Sequence, residues 1–309
     1  MKFSARKFFK RAILSTAFAA AALGFYSYEV EPNTLSTTTY DLPSAKWNKD
    51  MPPLHVAVAA DFHVGCPSVD LKRLGEIVAE INALKPDIIV LPGDFVTMMK
   101  GEDRVIGGSY VEPGPIAEVL KGLKAPLGVY AALGNHDMMN EPDPMKKALE
   151  SVGIRVVDND AVEIRSGSFH FWIAGLADET TSRPDWKKTA SKITNDAPVI
   201  VIMHDPGPFL DKIDRPVVFI AAHTHGGQVV VPFFEKYLEN PYSRAPMKYL
   251  YGHISEEGRE MVVTRGIGTS IVPLRFGAKP EIVDLKIGPS KDSKPQTIVA
   301  QPAKPPGPA

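Results

Sequence analysis

Residues 216–228 read PVVFIAAHTHGGQ, an apolar run that ends in two histidines on a glycine-rich turn. The run predicts a buried strand. Because His223 and His225 are two residues apart, their side chains point the same way if the segment is extended. Neutral imidazole is the commonest metal ligand in proteins. A packed or solvated histidine pair would explain the same residues, so the interpretation depends on whether other ligands converge on this turn.

Four other predicted strands also end in residues that can bind metals. They are followed by Asp61-Phe62-His63, Gly93-Asp94, Gly134-Asn135-His136-Asp137 and His204-Asp205. Each of these ends has a simple explanation by itself, such as a cap, a turn or a core histidine. Binding sites in α/β sheets form outside the carboxyl ends of the strands. Five such ends in succession therefore favour one shared site.

The candidate ligands offer only oxygen and nitrogen atoms. They are Asp61, His63, Asp94, Asn135, His204, His223 and His225. This set exceeds the roughly four ligands of a tetrahedral zinc site and suits two divalent ions that share a carboxylate. Two ions about 3.5–4 Å apart can clamp the attacking and leaving oxygens of a phosphoryl displacement, and a metal lowers the pKa of bound water to about 7.

The order of these motifs between Asp61 and His225 resembles that of the calcineurin-like metallophosphoesterases, whose pattern is D-x-H, G-D, G-N-H-D/E, H and G-H-x-H. The resemblance implies two divalent ions (Mn, Fe or Zn), a hydroxide that bridges them, and Asp94 as their shared ligand. The first ion would be held by Asp61, His63, Asp94 and His225. The second would be held by Asp94, Asn135, His204 and His223.

The same resemblance implies roles for other residues. His136 would donate a proton to the leaving oxygen or stabilise charge on phosphorus, and Asp137 would orient it. Ala222 occupies the position of a family glycine, which makes the turn before the histidine pair the main departure. Segments that include Gln228, Arg265 and Arg275 resemble an exported or membrane-associated bacterial branch with phosphodiesterase and UDP-diacylglucosamine hydrolase activities. These three residues are candidates for substrate contacts, although salt bridges explain the two arginines equally well.

The termini predict export. Basic residues precede the apolar run Ala12 to Phe25, as in a signal peptide. We therefore expect residues 1–28 to be a signal or an inner-membrane anchor, with the rest facing the periplasm or cell exterior. A soluble amphipathic helix is the alternative. Residues 29–53 are predicted to be a linker, 54–287 the catalytic domain, and 288–309 a disordered Pro-rich tail.

The fold is predicted from the order of apolar segments. From Leu54 strands and helices alternate, and after residue 153 short strands dominate, with a meander predicted over 154–157, 161–165 and 169–174 and a further strand over 229–231. This pattern favours an α/β (α+β) fold of two packed mixed β-sheets flanked by helices, a metallophosphoesterase-like sandwich.

The expected function is phosphoester hydrolysis, as a phosphodiesterase or pyrophosphatase. A lipid-linked or UDP-sugar substrate, such as UDP-2,3-diacylglucosamine, suits the predicted membrane location. A periplasmic phosphomonoesterase or nucleotidase, or a non-catalytic metal-binding scaffold, are the alternatives. The net charge of −1 argues against nucleic acid as a partner. The single cysteine excludes an internal disulfide and a thiolate metal cluster.

Overall fold

A computed structural model describes residues 5–98, 101, 105–138, 144–167, 169–231 and 243–290. The helices are α1 (Ala5–Phe25), α2 (Leu71–Ala83), α3 (Pro113–Leu120), α4 (Asn135–Met138), α5 (Pro144–Ser151) and α6 (Trp186–Ala190). The strands are β1 (Ser36–Ser44), β2 (Leu54–Val58), β3 (Ile88–Leu91), β4 (Val129–Ala131), β5 (Arg155–Val156), β6 (Asp160–Ser166), β7 (Phe169–Gly175), β8 (Val199–Ile202), β9 (Val218–Ala221), β10 (Gly252–Glu256), β11 (Arg259–Val263) and β12 (Glu281–Pro289).

The strands form two mixed sheets of six strands each. The first has the order β1-β12-β2-β3-β4-β5 and the second β10-β11-β9-β8-β7-β6. In the first sheet β2, β3, β4 and β5 are parallel neighbours, and in the second β7, β8, β9 and β11 are. This arrangement confirms the predicted fold class.

The apolar core follows the two-residue period of the strands. Ile88 and Val90 of β3 pack in one buried cluster with Ile200 and Ile202 of β8, which joins the facing surfaces of the sheets. The intervening Ile89 packs instead in the cluster that includes the apolar face of α2. Because both faces of the central strands are buried, these strands are continuous apolar runs.

Local sequence signals also determine α2, the helix that connects β2 to β3. The carboxylate of Asp70 accepts a hydrogen bond from the main-chain N–H of Arg73 at 2.7 Å and so caps α2. Leu74, Ile77 and Ile81 are fully buried on the sheet side of the helix. This packing places the carboxyl ends of β2 and β3 side by side.

The linker prediction for residues 29–53 is wrong over β1. This strand pairs in parallel with β12, from Ser36 opposite Glu281 to Ser44 opposite Pro289. Its exposure alternates, with Leu42 and Ser44 buried on one face. An edge strand that is half exposed has a polar composition, and this composition resembles that of a linker.

Three other local predictions need correction. β5 pairs with β4 in the first sheet, so the meander reduces to the β6–β7 hairpin. Val229 forms a single bridge to Phe276 where a strand was expected over 229–231. Gly288 and Pro289 belong to β12, and the rest of the predicted tail after Ser290 lies outside the described residues.

The N-terminal helix is longer than the apolar run suggested. α1 continues into a π-helical turn over Tyr26–Val30. The stretch Phe9–Val30 is long and apolar enough to cross a membrane, by length and composition alone. A signal sequence has the same properties.

Candidate metal centre

The predicted ligands meet where the parallel strands of both sheets end. Asp61 and His63 follow β2, and Asp94 follows β3, while Asn135 begins α4 just after β4. His204 follows β8, and the 223–225 turn follows β9. The expectation that five strand ends converge is therefore met by the geometry.

Five of these residues have a left-handed backbone. The φ angles are 50° at Asp61, 44° at His63, 57° at Asp94, 70° at His223 and 51° at His225. Non-glycine residues rarely adopt positive φ, and such conformations concentrate at functional sites. At these positions the chain makes a sharp turn just after strands β2, β3 and β9.

One group of ligand atoms comes from Asp61, His63 and His225. The Nε2 atoms of His63 and His225 are 3.0 Å apart. The Nε2 of His225 is 3.6 Å from Oδ1 of Asp61. These atoms lie within 4.8 Å of one another, close enough to hold one ion.

A second group comes from Asp94, Asn135, His204 and His223. The Oδ1 atom of Asn135 is 3.2 Å from Nε2 of His204 and 3.0 Å from Nδ1 of His223. The two imidazole nitrogens are 3.1 Å apart. The Nδ1 of His204 donates to the carbonyl of Pro92 at 2.7 Å, which directs Nε2 into the group.

Asp94 lies between the two groups. Its Oδ2 is 3.5 Å from Nε2 of His63 and 3.3 Å from Nε2 of His204. The side chain of Asp94 is 2% exposed. One carboxylate thus faces both groups of imidazoles.

The chemistry of this donor set fits divalent cations. Imidazole nitrogens, carboxylates and an amide oxygen all present lone pairs, and here they face each other at about hydrogen-bond distance. Cations balance such a concentration of acceptors. At His63 burial favours the neutral imidazole, the form that binds metals, because it lowers the pKa of His63 to about 3, and His136 adds to this shift.

Of the two buried carboxylates, Asp61 is the one that lacks sufficient counter-charge from the protein. Burial raises the pKa of Asp61 to about 7, a rise that His204 partly offsets. Burial opposes ionisation of Asp94 too, but His204 and His136 hold the pKa of Asp94 well below its usual value. A bound cation stabilises both carboxylates in the ionised form.

His136 lies beside these groups with a fixed orientation. Its Nδ1 donates to the carbonyl of Thr97 at 2.8 Å, and its Nε2 is 3.4 Å from Oγ of Ser270. Its main-chain N–H donates to Oδ1 of Asp94 at 2.9 Å. The ring stands edge-on to His63, with centroids 4.6 Å apart. His136 also belongs to a third possible ligand group, with His63 and Asp94.

The predicted role of Asp137 in orienting His136 is wrong. Its carboxylate instead accepts main-chain N–H groups, from Asp94, Phe95 and Gly134 at 2.8–3.0 Å and from Val96 at 3.2 Å. Burial, reinforced by Asp94, raises the pKa of Asp137 to about 8, although the hydrogen bonds from Gly134 and Val96 oppose this rise. Asp137 therefore ties the strand ends together, and the Thr97 carbonyl orients His136.

The side chains of the three residues predicted to contact the substrate bind other parts of the protein instead. Gln228 uses its side-chain amide to bind the main chain of Ser270 and Val272. Arg265 forms an ion pair with Glu281, with Nη2 3.1 Å from Oε2. Arg275 is fully buried and donates to main-chain carbonyls, including those of Gly268 and Ala278. These contacts order the loops around the site, and the complete burial of Arg275 leaves its side chain inaccessible to a substrate.

The alanine that replaces the family glycine causes no strain. Ala222 is fully buried and is absent from the described residues with positive φ. The left-handed residues of this turn are His223 and His225. Glycine is needed elsewhere, because a Cβ at Gly134 would lie 2.2 Å from Oδ1 of Asp94 and 2.7 Å from Cε1 of His204.

Four residues at the site were not predicted. Pro92 and Thr97 act through main-chain carbonyls, which leave no signal in side-chain patterns. Ser270 lies on a loop with no motif of its own. Asp205 follows His204 directly, is 1% exposed, and places Oδ2 3.5 Å from Nε2 of His223.

Two six-stranded sheets whose strand ends bring together potential metal ligands are the arrangement expected of a metal-dependent phosphoester hydrolase. The chain belongs to the calcineurin-like phosphoesterase family, which residues 54–227 match. It is 30% identical to the metallophosphoesterase YkuE of Bacillus subtilis, over 91% of this chain and 96% of that protein.

Two further relatives have names that state an activity. The chain is 27% identical to the phosphodiesterase YaeI of Escherichia coli, over 91% of this chain and 98% of that protein. It is 28% identical to the UDP-2,3-diacylglucosamine pyrophosphatase LpxG of Chlamydia trachomatis, over 88% of this chain and 95% of that protein.

Proposed function

We propose that this protein is a binuclear phosphodiesterase or pyrophosphatase. The observation that carries the proposal is Asp94, whose Oδ2 faces His63 and His204 from the two ligand groups at 3.5 and 3.3 Å. In this proposal Asp61, His63 and His225 would hold one divalent ion, and Asn135, His204 and His223 would hold the other. Asp94 would be a ligand shared by both ions.

Two divalent ions would supply Lewis acidity to the phosphoryl oxygens and make water acidic enough to attack near neutral pH. The protein itself positions the proton donor. Because Thr97 accepts the Nδ1 proton of His136, Nε2 is the atom that faces the reacting groups. Water that has released one proton to the solvent would attack phosphorus as the P–O bond to the leaving group breaks. The Nε2 proton of the His136 imidazolium would pass to the leaving oxygen, which leaves a neutral imidazole with its proton on Nδ1.

The proposed substrate has its phosphate near a membrane surface. The apolar stretch Phe9–Val30 supports an inner-membrane location with the catalytic domain exported. The names of two relatives support a phosphodiester or a pyrophosphate linked to a lipid or a UDP-sugar. A screen of mono-, di- and pyrophosphate substrates with Mn, Zn, Fe and Mg would identify the preferred bond and metal.

Asp94→Asn tests the binuclear site. The substitution removes one charge from a residue that faces both ligand groups. We therefore expect the variant to hold less than one tightly bound ion per chain, where the wild type holds about two. We also expect kcat for bis(4-nitrophenyl) phosphate to fall by at least about 10³-fold. Metal content is measured by mass spectrometry and kcat by nitrophenol release.

Asp284→Asn is the matched control. Asp284 also pairs with a histidine, His55, at 2.5 Å, but it lies on β12 away from the ligand groups. This control should retain metal and activity. Activity of Asp94→Asn at the wild-type level would contradict the proposal.

A further inference from the structure

The large apolar side chains that are exposed on the catalytic domain gather at one place. Outside the first 30 residues, the described part of the chain has four, namely Ile106, Leu210, Val231 and Ile271. All except Leu210 belong to loops beside the metal centre. We call Ile106, Val231 and Ile271 the apolar rim. Exposed apolar residues that cluster around a site mark an interaction surface, whereas scattered ones do not.

Hydrogen bonds connect the rim to His136. The main-chain N–H of Ile106 donates to the carbonyl of Ile271 at 3.0 Å. Ser270, next to Ile271, has its Oγ 3.4 Å from Nε2 of His136. The rim therefore lies on loops next to His136, the proposed proton donor.

The exposed position of Ile271 is held by a strained backbone conformation. Ile271 has a φ of 62°, which is a rare conformation for a β-branched residue. Gln228 fixes the loop on both sides of it, with hydrogen bonds of 2.8 and 3.0 Å to Ser270 and of 3.0 Å to Val272. Val231 is held nearby, because the N–H of Val230 donates to the carbonyl of Phe276. A strained, exposed isoleucine that is fixed on both sides indicates a function for the exposed side chain.

The end of α1 docks against the same loop. The N–H of Arg275 donates to the carbonyl of Ser27 at 2.9 Å, two residues after α1 ends. The buried carboxylate of Glu31 accepts the N–H of Ala278 at 2.7 Å. Ile271 precedes Arg275 by four residues, so their Cα atoms are at most about 14 Å apart. The rim thus lies close to the point where the apolar helix leaves the domain.

We propose that the apolar rim contacts the lipid bilayer that α1 enters, so that the metal centre opens onto the headgroup region of that bilayer. This inference deepens the proposed function, because it assigns the enzyme to phosphoesters carried by membrane lipids. The occupant of the rim is the bilayer itself. The short segment between α1 and β1 supports this assignment, because its hydrogen bonds to the loop of Arg275 and Ala278 keep the rim near the membrane surface.

Fluorescence quenching in vesicles tests the contact directly. The full-length chain is reconstituted into vesicles of phosphatidylethanolamine and phosphatidylglycerol that contain doxyl-labelled lipid. Bimane is attached to Ile106→Cys or Val231→Cys, and to Leu210→Cys as the matched control. The natural Cys66 is 3% exposed, so the new thiol is labelled selectively. We expect quenching at positions 106 and 231 and little at 210. Equal quenching at all three positions, or none at 106 and 231, would overturn the proposal.

Activity on matched substrates gives an independent test. The variant Ile106→Ser/Val231→Ser is compared with Leu210→Ser on a diacylglycerol 4-nitrophenyl phosphate embedded in vesicles and on soluble bis(4-nitrophenyl) phosphate. We expect the double variant to lose about tenfold in rate on the embedded substrate only. An equal loss on both substrates, or no loss on either, would count against the rim as a membrane contact. If the wild type hydrolyses neither substrate, the proposed function fails, while the quenching result still decides where the rim lies.

Discussion

At the scale of single residues, the site depends on unusual backbone conformations. Five candidate ligands have positive φ, and each such residue stores about 1–3 kcal/mol of strain. Tight turns explain how side chains from five strands reach one small volume. Buried networks keep the turns in place, above all the carboxylate of Asp137 with its four main-chain donors.

His136→Gln tests the proposed proton donor. Loss of general acid catalysis should lower kcat by about 10²–10⁴-fold for leaving groups of high pKa, and by much less for 4-nitrophenolate, which leaves without a proton. The measurement is kcat for a series of aryl and alkyl phosphodiesters. Metal content should stay at the wild-type level. A loss of metal, or a decrease in kcat that does not depend on the leaving group, would instead make His136 a ligand.

Asp205→Asn tests a positioning role. The buried Oδ2 of Asp205 is 3.5 Å from Nε2 of His223, so it favours the ring orientation in which Nδ1 faces the metal group. Removal of the carboxylate should weaken binding of one ion by about 10–100-fold, measured by competition with a chelator. Asp211→Asn, which changes an exposed ion pair with Arg244, is the control. Unchanged affinity would limit Asp205 to its contacts with Gly207 and Ser243.

The sequence predicts which side chains converge at this site better than it predicts the roles of the residues around them. Residues with side chains that converge, such as Asp94 and His204, could be recognised because each follows an apolar run. The roles of Asp137, Gln228 and Arg275 could not, because they depend on main-chain groups brought close by the fold. An aspartate or arginine next to a motif looks the same in the sequence whether its side chain faces the substrate or the main chain.

At the scale of elements, strand prediction succeeded where burial was complete. β3, β8 and β9 are apolar on both faces, and α2 has a cap and one apolar stripe. β1 was missed because it is half exposed and its partner β12 lies about 245 residues away. The two-residue β5 was assigned to the wrong set of strands, because nothing in so short a segment specifies its sheet.

Leu42→Ala tests whether β1 is part of the folded core. Leu42 is 2% exposed and packs in the cluster between the sheets, so we expect about 2–5 kcal/mol less stability in urea unfolding. Thr37→Ala, on the exposed face of the same strand, should change stability by less than about 0.5 kcal/mol. Equal and small effects of both substitutions would restore the linker interpretation.

At the scale of the whole molecule, the apolar helix and the metal centre are connected by a short path. Ser27 binds the main chain of Arg275, and the ring of Tyr26 packs edge-on against Phe276 with centroids 6.3 Å apart. The guanidinium of Arg275 in turn reaches within 3.2 Å of Nδ1 of His225. The N-terminal segment therefore contributes directly to the order of the loop that supports one candidate ligand.

Glu31→Ala tests this connection. The substitution leaves the buried N–H of Ala278 without its acceptor, which costs about 1–3 kcal/mol. We expect faster amide hydrogen exchange at Phe276 and Ala278, and a smaller effect in the strands of the second sheet. Glu29→Ala, an exposed neighbour, should leave exchange unchanged. Identical exchange in both variants would show that the loop is ordered without the N-terminal segment.

The pairing of β1 with β12 has a consequence for biosynthesis. β12 lies between β1 and β2, so neither strand has this neighbour until the chain has been made through residue 289. At about 5–20 residues per second, the ribosome needs roughly 12–50 s to add the 245 residues that separate the partners. During this interval the hydrogen-bonding groups of β1 lack the partners that β12 provides in the completed sheet. The first sheet therefore cannot be completed before the chain has been made through β12.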